Sequence, residues 1–140
     1  MVYFDTSALV KLVFEEPGSD VAAELWDRAE GVTSSQLVYP EARAAAAAAY
    51  RAGRIDTRML RAAVRTIEEL CDDLDVVGLD EALARAAGDL AERRGLRGYD
   101  AVHLASASAI GHPELVLATW DRDLASAAVA EHHIVVPAEQ

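Results

Sequence analysis

The chain has 140 residues, 52% of them apolar, which fits one compact domain with a real core and excludes a disordered chain. The longest apolar run, Ala44 to Tyr50, is too short to cross a bilayer. Met1–Asp5 has none of the features of a signal peptide, and Cys71 is a lone cysteine, so no membrane association and a cytoplasmic location are expected. A net charge of −11 excludes a protein that simply clings to nucleic acid, yet an acidic chain can act on a phosphodiester if metal cations screen its carboxylates.

The opening reads as a short buried strand, Val2 to Phe4, ending at Asp5. A helix through Ala8, Leu9, Leu12 and Val13 follows and stops at Pro17-Gly18. Ser19 is the expected N-cap of a helix carrying Val21, Ala22, Leu25, Trp26 and Ala29 on one face. Gly31 closes it, and Val32 to Ser34 is a second strand. Pro40 suits the first turn of a helix from Glu41 to about Ala52. Asp56 or Thr57 starts another through Leu60, Val64, Ile67 and Leu70, and Leu74 to Val77 is a third strand. Asp80 caps a helix through Leu83, Ala87 and Leu90 that ends at Gly95. Tyr99 to Ala109 is helical, Leu115 to Ala118 is a strand with no polar residue, and Asp121 precedes a helix through Leu124, Ala127 and Ala128. Ile134 to Val136 is the last strand. Short apolar strands alternating with helices, without repeat or linker, imply one open α/β domain over residues 1–140, its sheet mainly parallel and flanked by helices.

Four acids fall at strand ends or helix starts on that map: Asp5, Glu41, Asp100 and Asp121. Ligand sites of open α/β sheets lie beyond the carboxyl ends of the strands, where strand order reverses, so the four can converge. An acid in the first turn of a helix is commonly only a cap. Asp5 and Asp121 stand out because each follows an apolar run, where a charge has no evident structural duty. Two carboxylates 4 Å apart repel by roughly 4 kcal/mol at an effective dielectric of about 20, so a cluster of four demands a cation. The chain has a single lysine, Lys11, inside the first helix and adjacent to none of the four; Arg43 and Arg122 are the sequence neighbours. Oxygen ligands with no cysteine beside them and no histidine pair at zinc spacing select Mg²⁺ or Mn²⁺.

These stretches are recognisable. Met1-Val2-Tyr3-Phe4-Asp5-Thr6-Ser7-Ala8-Leu9 resembles the opening motif of PIN domains, and Pro40-Glu41-Ala42-Arg43 their second acidic motif. Gly98-Tyr99-Asp100-Ala101-Val102-His103-Leu104-Ala105 resembles the third, and Thr119-Trp120-Asp121-Arg122-Asp123-Leu124 the fourth. At this length the chain is similar to the VapC toxins of bacterial toxin–antitoxin modules. The resemblance implies a PIN-like α/β/α sandwich and a Mg²⁺- or Mn²⁺-dependent endoribonuclease acting on RNA. It also implies a homodimer held inactive by a VapB-type antitoxin. Metal binding carries over to Asp5, Glu41, Asp100 and Asp121, with Thr6, Ser7 and Thr119 as supporting positions. The cation would make water a nucleophile at neutral pH and stabilise charge on the scissile phosphate. Asp123 could replace Asp121 as the fourth acid, but two residues later inside a helix it suits an outer supporting place.

Among the other residues, His103 is expected to be a satisfied structural histidine. His132 and His133 are expected on opposite sides of a strand, at the surface. Trp26 reads as core or partner surface, and Trp120 either stacks on a base or is buried. Arg54, Arg58, Arg61 and Arg65 share a helix face that is either an RNA track or simply solvated. A receiver-type phosphoryl-transfer domain needs a lysine at a later strand end, which Lys11 cannot supply. A PIN-fold binding module without catalysis remains the alternative from another class.

Overall fold

A computed structural model describes residues 1–138; the last two residues of the expected domain, 139 and 140, lie outside the described residues. Five strands, β1 (Val2–Phe4), β2 (Val32–Ser35), β3 (Asp75–Val77), β4 (Val116–Ala118) and β5 (Ile134–Val136), form one sheet in the order β3-β2-β1-β4-β5. Every pairing is parallel, with Val2 opposite both Val32 and Val116. The helices are α1 (Thr6–Val13), α2 (Ser19–Arg28), α3 (Val38–Arg51), α4 (Thr57–Asp72), α5 (Glu81–Arg94), α6 (Gly98–Ile110) and α7 (Arg122–Ala130).

The alternation of side chains along a strand sorts the core into layers. On β1, Tyr3 joins a cluster with Leu83, Leu90, Leu104, Leu117 and Leu124, from α5, α6, β4 and α7. Val2 and Phe4 point the other way, into a cluster with Ala8, Ala22 and Ala118, while Leu9, Ala46 and Ile67 tie α1 to α3 and α4. All three β1 residues are buried, as a central strand covered on both faces requires. Phe4 meets Trp26 edge-on, with ring centroids 5.4 Å apart, so Trp26 is core.

The expected elements are present, with shifts of up to three residues at their ends: α3 begins at Val38 rather than Glu41, with Pro40 in its first turn. One cap differs. The N-cap of α2 is Gly18, at φ 98°, and not Ser19. Trp120 packs so closely on Gly18 that a Cβ there would stand 2.7 Å from its Nε1, so this position takes glycine. Ser19 Oγ turns back instead, accepting from Glu16 N and donating to Phe14 O. His132 and His133 lie in the turn before β5, not on a strand, and His132 has φ 67°. Among the described residues, no helix is long and apolar enough to cross a membrane.

Candidate active site

Strand order reverses at β1, because the chain leaves β1 for β2 on one side and returns to β4 on the other. The corner between the ends of β1 and β4 is therefore the switch point of the sheet, and Asp5 occupies it. Asp5 is 3% exposed. Its Oδ1 accepts from Ser7 Oγ at 2.7 Å and from Ala8 N at 2.9 Å, and its Oδ2 accepts from Thr119 Oγ1 at 2.5 Å. The bond to Ala8 N makes Asp5 the N-cap of α1, so the charge does have a structural duty. Burial pushes its carboxyl above the usual range; His103 and the bonds from Thr119, Ser7 and Ala8 pull it back. Every hydrogen-bond donor on Asp5 is neutral.

Asp121 has the same position after β4. It caps α7 through Leu124 N at 2.9 Å, and its own N–H donates to Thr119 Oγ1 at 3.0 Å. Thr119 thus links the two corners, and Ser7 braces them by accepting from Trp120 N at 2.8 Å. Asp100, in the first turn of α6, is buried, which raises its carboxyl; a hydrogen bond from Arg97 opposes this and the nearby Asp121 adds to it. Arg97 Nε donates to Asp100 Oδ2 at 3.0 Å, and its Nη2 donates to Asp121 Oδ2 at 3.2 Å.

Glu41 stands apart from this string. Its Oε1 accepts from Thr6 Oγ1 at 2.8 Å and lies 2.7 Å from His103 Nε2. His103 is buried, with Nδ1 2.8 Å from the Tyr3 hydroxyl. Burial raises the Tyr3 phenol far above its ordinary range, so it keeps its proton. One tautomer then satisfies the chain: Tyr3 O–H donates to Nδ1, and Nε2–H donates to Glu41. His103 is satisfied and structural, as expected, and it also orients a candidate ligand, which the sequence reading did not assign to it.

Arg97 is the other residue that reading missed. It sits at the N-cap of α6 three residues before Asp100, the spacing at which side chains on a helix meet. The sequence neighbours considered as cations do not take its place: Arg43 bonds Tyr39 and Glu68, and Arg122 is exposed. Asp123 is exposed in the first turn of α7, and its carboxylate bonds none of the other site residues. Trp120 packs against Gly18, and the Lys11 ammonium lies 5.6 Å from its ring centroid, so it is held structurally.

A hard divalent cation fits the chemistry of this donor set: four carboxylates, no cysteine, and a histidine already bonded at both nitrogens. In the arrangement observed, no three of the described acids, histidines and cysteine stand where they would hold an ion, and Arg97 carries the positive charge between Asp100 and Asp121. A cavity of about 880 Å³ lies between α5 and α6, lined by Leu79, Leu83, Ala86, Leu90 and Ala105, and contains none of the four acids. The chemistry, not the cavity, marks the site.

A family model described as the PIN domain matches residues 2–130. Two curated proteins of Mycobacterium tuberculosis strains, ribonuclease VapC45 and ribonuclease VapC49, are each 47% identical over 139 residues, covering 99% of this chain and 96% of theirs. Among solved structures, PAE2754 from Pyrobaculum aerophilum superposes with a TM-score of 0.73 at 27% identity, covering 96% of this chain and 83% of that one. A toxin–antitoxin complex from Klebsiella pneumoniae matches in fold, with a TM-score of 0.60 at 23% identity over 88% of this chain and 89% of that one.

Proposed function

The chain belongs to the PIN domain family, and on that premise we propose that it is a divalent-metal-dependent endoribonuclease, the toxin of a VapBC-type toxin–antitoxin pair. The observation that carries the reading is Asp5. A carboxylate at the switch point of the sheet, 3% exposed and bonded only by neutral donors, has no stabilising counter-charge in direct contact. Such a group is costly as an ornament and useful as a cation ligand. The ribonuclease names of relatives at 47% identity support the choice of RNA as substrate.

Asp5, Glu41, Asp100 and Asp121 would hold Mg²⁺ or Mn²⁺. When bound, the cation supplies the positive charge that activates water at neutral pH and stabilises charge developing on the phosphate. The chain does the rest by positioning. Thr119 and Ser7 hold Asp5 at both oxygens, so its carboxylate cannot swing. The Tyr3–His103 pair and Thr6 fix Glu41 from the opposite side. Arg97 neutralises Asp100 and Asp121, which keeps the acids from splaying, and it would have to release them for a cation to be held there.

The expected partner is an antitoxin of the VapB type, and the expected state is a homodimer. The purified chain should cut single-stranded RNA, and co-expression with the product of the adjacent upstream gene should give a complex in which that cleavage is suppressed. A chain that binds RNA but never cuts it, with Mg²⁺ or Mn²⁺ supplied, would instead favour the binding-module alternative.

A further inference from the structure

The site is acidic and the whole chain more so, which leaves open how it captures a polyanion. Its twelve arginines are not spread evenly. Residues 51–65 hold five, Arg51, Arg54, Arg58, Arg61 and Arg65, with Asp56 as the one acid among them. Arg28, Arg43, Arg85, Arg93, Arg94 and Arg97 all pair with carboxylates. None of the five in this stretch forms an ion pair or a side-chain hydrogen bond with the described residues, although acids outnumber bases by 24 to 13.

All five are exposed, and Arg58, Arg61 and Arg65 lie opposite the face of α4 that buries Ala63 and Ile67. Helix stability does not explain the three on α4. The first turn of α4 carries Arg58 and no acid, and its last turn carries Asp72 and no base, the reverse of what the helix dipole favours. The direction of the stripe is informative. Tyr50 meets Thr57 at one end of the α3–α4 hairpin, and Tyr39 and Arg43 meet Glu68 at the other, so the helices run antiparallel. Arg58 to Arg65 therefore climbs about 10 Å toward the end of α3 that presents Glu41. It stops one turn short of Glu68, whose carboxylate Tyr39 and Arg43 occupy. Arg54 lies lower, in a groove shared with Glu15 and Glu16.

We propose that Arg58, Arg61 and Arg65 on α4 are a binding track for the RNA backbone, leading single-stranded RNA to the Glu41 side of the acid site. This rests on the ribonuclease reading. Phosphates suit the stripe because guanidinium forks with no protein partner are free to take them. The track also offsets a net charge of −11 that would otherwise repel the substrate.

The test is binding of a fluorescein-labelled single-stranded RNA, followed by anisotropy in chelator across a salt series. The parent is compared with the triple variant Arg58→Gln/Arg61→Gln/Arg65→Gln. A control, Arg28→Gln/Arg85→Gln/Arg93→Gln, shifts net charge equally but removes arginines that already have carboxylate partners. The track variant should bind at least about 10-fold more weakly at low salt, and its log–log salt slope should fall by about 2, near 0.7 for each lost phosphate contact on a single strand. The control should keep the parent's slope, and Arg58→Lys/Arg61→Lys/Arg65→Lys should restore most of it. Three results would overturn the proposal: an unchanged slope in the track variant, an equal loss in the control, or loss of a co-purifying protein partner with RNA binding intact. Because binding is measured in chelator, it is read apart from cleavage: a parent that binds through the track yet never cleaves RNA when Mg²⁺ or Mn²⁺ is supplied would defeat the ribonuclease reading and leave the track standing.

Discussion

Asp5 and Asp121 end neighbouring parallel strands, and each caps the helix that follows, yet their surroundings are opposite. Asp5 is sealed under Ser7, Ala8 and Thr119, all neutral donors, and burial raises its carboxyl. Asp121 is partly exposed, and Arg97 lies against it. Equivalent places in the fold have thus been given different chemistry. The β4 corner carries its own counter-charge in Arg97. The β1 corner is rigid and lacks one, which is why we propose it as the anchor for a cation.

The largest effect is expected at Asp5. Asp5→Asn keeps the shape and the cap but removes the charge, and ribonuclease activity should fall on the order of 10³-fold. Asp121→Asn should cost less, roughly 10- to 100-fold, because Asp100 and Arg97 remain beside it. Initial rates on one RNA substrate rank the two, and equal losses would erase the distinction between the corners.

Thr119→Val sharpens the same point through the joint between them. It leaves Asp5 Oδ2 without its donor in a buried site, so the fold should lose about 1–3 kcal/mol in urea titrations. Ser7→Ala should do less, since Oδ1 keeps Ala8 N.

The pH dependence of the metal-free protein follows from the direction of the Asp5 shift. A carboxyl raised in the folded state favours folding while protonated. That contribution is fully present below the unfolded value of about 3.9 and is lost as pH rises through the raised value. Asp5→Asn removes this dependence. In chelator, the stability of the variant relative to the parent should therefore increase from about pH 4 toward neutrality. A difference that stays constant over that window would show that Asp5 is not under strain. The smallest effect belongs to Asp123→Asn, outside the hydrogen-bond network of the site, where the rate should change by less than Asp121→Asn changes it.

Much of this architecture is legible in local sequence. The apolar runs at Val2–Phe4 and Val116–Ala118 announce buried parallel strands, and acids placed after them announce a site beyond their ends. β2 is harder, because Thr33, Ser34 and Ser35 are polar yet buried. Their hydroxyls are satisfied by Asp75 O, Phe4 O and Leu37 N, partners 42, 30 and 2 residues away. The Gly18 cap depends on Trp120, about a hundred positions later, and no nearby signal favours Gly18 over Ser19. Arg97 and His103 were missed in their relation to the acids for the same reason. Their partners Asp121 and Glu41 lie 24 and 62 residues away, although Arg97 stands at helical spacing from Asp100.

We propose that Asp5 anchors a cation on which RNA cleavage depends. This is tested by measuring cleavage of a single-stranded RNA panel with Mg²⁺, with Mn²⁺ and with chelator, for the parent and for Asp5→Asn, alongside calorimetric titration of Mn²⁺ into both proteins. Cleavage by the parent only with metal, cleavage by Asp5→Asn slowed on the order of 10³-fold, and Mn²⁺ binding lost or sharply weakened in the variant are the predicted results. Cleavage that survives chelator, or an Asp5→Asn protein that binds Mn²⁺ and cuts at the parent's rate, would contradict the account.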